Sequence, residues 1–136
     1  MKISVSQEQG KVPVTVIKLE GQLDGQTYQD LIAKAREVYE SGARDFVIDL
    51  SGLTYVSSAG LVALHTVALL ARGEALPDTD AGWSAIRSVG GASRSGMQEH
   101  VKLANPREEI MSVLDMVGFS NAFEIFNDLD EAVKSF

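Results

Sequence analysis

Asp49-Leu-Ser-Gly-Leu-Thr-Tyr-Val-Ser-Ser-Ala-Gly-Leu-Val-Ala-Leu64 is the stretch that decides how this chain is read. Phe46-Val-Ile48, just before it, is a short apolar run and predicts a central strand. A turn is expected after that strand, then Ser57 and Ser58, a small residue and a glycine. From about Ser58 to Ala71 the chain is apolar almost all round, which predicts a largely buried helix. This order places a serine hydroxyl at the open mouth of a helix N-terminus. Backbone N–H groups without intrahelical partners, together with the positive end of the helix dipole, favour an anion there. A phosphate, bound or covalently attached, suits such a position.

Upstream, Ile3 and Val5 alternate with polar residues as in a half-buried strand, and Gln9-Gly10-Lys11 predicts a turn. Val12, Val14, Val16, Ile17 and Leu19 form a second strand, and Pro13 predicts that it starts at an edge. A break is expected over Gly21 to Gly25. Tyr28, Leu31, Ile32, Ala35, Val38 and Tyr39 then share one helical face over Thr27 to Ser41, and Gly42 marks the stop. Downstream, Asn105-Pro-Arg-Glu108 predicts a helix start with Asn105 as cap, proline in the first turn and glutamate three residues after the cap. Ile110, Val113, Leu114 and Val117 follow at helical spacing up to Gly118. Phe123-Glu-Ile-Phe126 predicts a short strand, and Asp128 to Phe136 a last helix with Leu129, Ala132, Val133 and Phe136 on one face. The order β-β-α-β-α-β-α-β-α predicts one α/β domain over residues 1–136, a mixed sheet covered by helices.

One segment departs from this pattern. Residues 72–97 carry five glycines, four serines, Pro77 and Trp83, the only tryptophan. Structureless connections inside a compact domain rarely exceed roughly 12–15 residues. A flexible insertion is therefore expected, with a short helix over Ala81 to Val89.

Composition narrows the function. With 136 residues the chain can bury one core. It is 45% hydrophobic and 23% charged, as soluble globular domains are. A net charge of −7 argues against general nucleic-acid binding, which needs a basic surface. The chain has no cysteine, so it has no disulfide framework, thiol nucleophile or cysteine–zinc site. No signal peptide and no apolar run of membrane-spanning length is present, which predicts a cytoplasmic protein without membrane insertion. His65 and His100 have no partners at metal-ligand spacing, and no cofactor fingerprint is found. Gly90-Gly-Ala-Ser-Arg-Ser-Gly96 lacks the Gly-Lys-Ser/Thr ending of a P-loop and reads as linker.

Taken together, the motifs resemble the STAS domain family, the anti-sigma factor antagonists of bacteria. Leu19-Glu-Gly-Gln-Leu-Asp24 is similar to the family's Gly-x-Leu-Asp loop. Val47-Ile-Asp-Leu-Ser51 followed by Val56-Ser-Ser-Ala-Gly-Leu61 is similar to its switch motif. Leu114-Asp-Met-Val-Gly-Phe119 and Phe123-Glu-Ile-Phe126 are similar to its third helix and last strand. The resemblance implies a mixed, mostly parallel sheet of about four to five strands with about four helices. It also implies a partner switch rather than an enzyme. The unphosphorylated antagonist binds an anti-sigma factor that is also a serine/threonine kinase, and this frees the sigma factor. The kinase phosphorylates the antagonist, the complex separates, and a serine phosphatase resets it. Carried onto this chain, the phosphoacceptor is Ser58. Asp24 matches the loop aspartate, and Gly60 and Leu61 match the residues that open the second helix; with Ser57 and Ala59 these form the expected partner surface. The family has an acid before the acceptor, where this chain has Ser57, which leaves Ser57 as a second candidate acceptor. Ala59 stands where serine or threonine is common.

Plainer readings stand beside these. Ser57-Ser58 also reads as an ordinary N-cap pair. Asp24 also reads as a turn or cap residue for the following helix, and Gly60 as a small residue that admits close helix–sheet packing. A STAS scaffold or transporter-regulatory subunit that binds without phosphorylation is the alternative function, motivated by Ser57 and the insertion. A serine hydrolase is the third, but Gly-x-Ser-x-Gly is absent and Ser58 needs a general base within reach.

Overall fold

The computed structural model describes residues 1–71 and 98–136. It begins with a hairpin in which β1 (Lys2–Gln9) pairs antiparallel with β2 (Pro13–Leu23) over eight uninterrupted residue pairs. Helix α1 (Tyr28–Glu40) returns the chain to β3 (Phe46–Val56), which lies parallel to β2. Helix α2 (Ser58–Ala71) follows directly. Beyond the segment at 72–97, where the expected insertion lies outside the described residues, β4 (Val101–Ala104) pairs parallel with β3. Helix α3 (Glu108–Met116), a 3-10 turn (Phe119–Asn121), β5 (Ile125–Phe126) and helix α4 (Leu129–Lys134) complete the chain. Among the described residues the sheet has five strands in the order β1-β2-β3-β4-β5, with β1 the one antiparallel member. This is the expected single α/β domain, with its mixed, mostly parallel sheet.

Strand alternation sorts the core into two layers. Ile17, Leu19, Phe46, Ile48, Leu50 and Leu103 face one side and are buried against Leu31, Ile32 and Ala35 of α1, the apolar wall of α2, and Ile110 and Leu114 of α3. Val14, Val16, Val47 and Ala104 face the other side, where Ala132 and Val133 of α4 cover them. The predicted α1 face holds throughout: Leu31, Ile32 and Ala35 are buried, and Tyr28, Val38 and Tyr39 pack at the margin.

Four local expectations are corrected. The strand at Phe46–Ile48 does not run into a turn; β3 continues to Val56, paired with β2 as far as Leu23. Gly21 is likewise inside β2, with φ of +106°; the register shifts beside it carry their extra residues on β3, so β2 runs on without a break. Pro13 is the first residue of β2, but β2 is an inner strand. Its parallel ladder with β3 begins only at Thr15, so the missing N–H costs that ladder nothing. Asn105 does not cap α3. Its N–H is bonded to Phe126 O at 2.8 Å, which keeps it tied to the sheet, with φ of +56°. The chain therefore leaves the sheet two residues later, and Arg107 becomes the N-cap residue.

Candidate functional site

Two helices begin at the same end of the sheet, where β2 and β3 finish. β3 reaches α2 through one residue, Ser57, and the geometry follows from what that residue does. Its N–H donates to Leu23 O (2.9 Å), which holds the start of α2 against the end of β2. Its carbonyl accepts the first helical bond, from Leu61 N (3.0 Å), and its hydroxyl accepts from Gly60 N at 3.3 Å. Ser57 is thus the N-cap, the role serine favours. An aspartate at this position has the same capping capacity, so serine, where the resemblance implies an acid, leaves the helix start intact while removing a charge.

Ser58 is the first residue of α2 and is exposed. The N–H groups of Ser58 and Ala59 belong to the first turn and have no intrahelical acceptor. The Ser58 hydroxyl therefore sits where a modification is accessible and where negative charge is favoured by the helix end. The two serines of the sequence are told apart here: one is spent on the cap, the other is presented.

Gly60 explains how close the approach is. A Cβ at Gly60 would lie 2.6 Å from Leu23 O and 2.8 Å from Val56 Cγ2. The plainer reading of Gly60 holds: only a residue without a side chain lets α2 start this close to β2. Leu61 is buried in the core and anchors the first turn, so it does not present itself to a partner as expected; Ala59 is half-buried beside it.

Asp24, one residue beyond Leu23, opens the loop to α1. Its Oδ1 accepts from Gln26 N (3.0 Å), while its N–H donates to Thr27 Oγ1 (2.9 Å). The Thr27 O–H in turn lies 2.9 Å from Gln22 O and 3.1 Å from Asp24 Oδ1. The carboxylate is therefore engaged in the turn that starts α1, and it is only partly exposed. Sequence reasoning passed over Thr27 as the partner of Asp24, and over Tyr55, which is 51% exposed just before the cap. No local signal gave Tyr55 away: alternation from inward Leu53 turns it inward as well, and only the register shift against Gly21 and Gln22, which leaves Thr54 as an extra residue on β3, turns it out.

The geometry is unsuited to a catalytic triad. His100 and Asp45 do pair, Nδ1 to Oδ1 at 2.9 Å, but they stand at the start of β3, where Phe46 N donates to His100 O. Ser58 follows the other end of this 11-residue strand, roughly 30 Å away at a rise of ~3.3 Å per residue. His65 is buried within α2, two turns up from Ser58. Among the described residues, no group of three or more His, Cys, Asp or Glu side chains is placed to hold a metal ion. No helix among the described residues is long and apolar enough to cross a membrane.

Comparison with known proteins agrees with this architecture. The family model described as "Mlab, STAS domain" matches residues 6–77, just over half of the chain. No curated protein matches it. An anti-sigma factor antagonist from Mycobacterium paratuberculosis superposes with a TM-score of 0.64 at 18% identity, over 98% of this chain and 93% of that one. The unphosphorylated form of the anti-sigma factor antagonist SpoIIAA gives 0.54 at 16% identity, over 96% of this chain and 92% of that one. The phosphorylated form of the Bacillus cell fate determinant SpoIIAA gives 0.56 at 14% identity, over 98% of both chains. At these identities the likeness is one of fold.

Proposed function

Since the chain belongs to the STAS domain family, we propose that it is an anti-sigma factor antagonist, with the start of α2 as its switch. It acts by binding, in the cytoplasm, and its partners are an anti-sigma factor with serine/threonine kinase activity and a serine phosphatase. The observation that carries this reading is the division of labour between Ser57, consumed by the cap, and Ser58, exposed at the first position of α2. The names borne by its structural neighbours support the same role.

The chemistry is simple. The kinase moves the γ-phosphoryl group of ATP onto Ser58 Oγ, the hydroxyl proton passes to a base on the kinase, and ADP leaves. The phosphatase reverses the state with water, releasing inorganic phosphate. Phosphorylation adds roughly −1.5 to −2 charges and three acceptor oxygens. The helix end tolerates this group in the free protein. An apposed protein surface does not, because a dianion inside a packed interface is costly to desolvate. Partner binding therefore switches while the fold stays.

Intact mass after incubation with ATP and anti-sigma kinases from the same genome tests the reading. Wild type and Ser57→Ala are expected to gain one phosphate and Ser58→Ala none. A phosphate lost only in Ser57→Ala moves the acceptor. No phosphate from a kinase that binds the protein favours a scaffold that works by binding alone, a reading supported by the missing acid at Ser57.

A further inference from the structure

The described sheet has two edges, and they differ greatly. β5 is two residues long, whereas β1 is an eight-residue strand with no proline, no bulge and an unbroken register with β2. Long regular edges are usually blocked by proline, a bulge, a covering element or edge charge, because their free N–H and C=O groups pair readily with another strand; the charges of β1, Lys2 and Glu8, are of opposite sign and can pair instead of repel. Val5, midway along β1, is 37% exposed. We propose that this edge is a self-association surface: a second copy of the chain pairs antiparallel with β1 about a two-fold axis through Val5.

The register follows from backbone geometry and charge. In an antiparallel ladder, alternate residues aim both N–H and C=O at the partner strand, and the residues between aim both outward. Outward residues of β1 must therefore meet outward residues of the second copy, which have the same parity. A symmetric pairing is thus centred on a residue, not between two. For an eight-residue strand, the centres that pair most of its length are Val5 and Ser6. About Val5, Lys2 faces Glu8 of the second copy, Ser4 faces Ser6, and Val5 faces itself. The Lys2–Glu8 contact then occurs twice. About Ser6, Lys2 faces Gly10 and both charges lose opposite-charge partners. In the Val5 register, Lys2 also lies between two carboxylates, Glu20 of its own β2 and Glu8 of the second copy. Both Lys2 and Glu8 are exposed in the single chain and available for this pairing.

The product is a continuous ten-stranded sheet. Because the two-fold reverses strand direction, the C-terminal ends of the two β3 strands point opposite ways. The two Ser58 positions then stand at opposite ends of the assembly, and both remain open to a partner.

Sedimentation equilibrium on the full chain tests the pairing through charge exchange. Wild type is expected to dimerise as concentration rises. Lys2→Glu and Glu8→Lys should each weaken the dimer at least about tenfold, since each turns two attractive cross-strand contacts into repulsive ones. Net charge alone predicts the reverse for Glu8→Lys, which exchanges −1 for +1 and takes the chain from −7 to −5. An equimolar mixture of the two variants should recover wild-type association. In the mixed dimer the introduced glutamate of one variant meets the introduced lysine of the other, and the retained Glu8 of the first meets the retained Lys2 of the second. Recovery also proves that both variants fold. A wild type that stays monomeric up to millimolar protein, or a mixture no more associated than its components, overturns the proposal.

Discussion

The starts of α1 and α2 lie side by side at one end of the sheet, yet they are finished in opposite ways. At α1, Asp24 and Thr27 close on each other through side chain and backbone, and the carboxylate already supplies negative charge there. At α2, one hydroxyl does the capping and the next residue points outward, uncharged, on the first turn. The difference teaches where a phosphate has a place. The α1 start has a carboxylate, that of Asp24, in the turn just before it, and its first amide, Tyr28 N–H, donates to Asp24 O, whereas the α2 start has free amides and an exposed serine but no charge of its own.

The contrast can be broken most strongly by supplying that charge. Ser58→Asp is expected to lower affinity for the anti-sigma partner by about 2–5 kcal/mol, at least about thirtyfold, with no loss of fold. Titration calorimetry measures it, and Asp24→Asn at the other helix start serves as the contrasting variant, expected to change binding far less. Gly60→Ala attacks the close approach of α2 to Leu23. With a Cβ only 2.6 Å from a carbonyl oxygen, the helix must move, and urea unfolding should report a loss of about 1–3 kcal/mol.

Ser57→Ala removes the α2 cap and should cost about 1 kcal/mol in the same assay, while Ser57→Asp should restore stability near wild type. A Ser57→Ala variant as stable as wild type would mean the serine hydroxyl does not cap. Asp24→Ala should have the smallest effect, about 0.5–1 kcal/mol, because it removes hydrogen bonds at a partly exposed turn. If Asp24→Ala instead weakens partner binding as strongly as Ser58→Asp, the two helix starts form one contact surface and the contrast between them dissolves.

Much of this could be read without coordinates, for a physical reason. The number and order of elements follow from local periodicity: the α1 face, the all-round apolar α2, the valine-rich β2 and the glycine stop at Gly42, whose φ is +116°. Such patterns record which side of each element meets the core, and they are written into consecutive residues. The position of Ser58 at a helix start was legible for the same reason. What adjacent residues do not encode is where an element stops when a neighbour holds it. β2 and β3 run on through glycines because they pair with each other, and Asn105 stays in the sheet because Phe126, 21 residues later, accepts its N–H. Likewise Ser57 and Ser58 are equivalent in sequence and become distinct only in three dimensions. The carbonyl of Leu23, from another strand, fixes the backbone of Ser57, so that its hydroxyl turns to the helix, while Ser58, the next residue, is exposed.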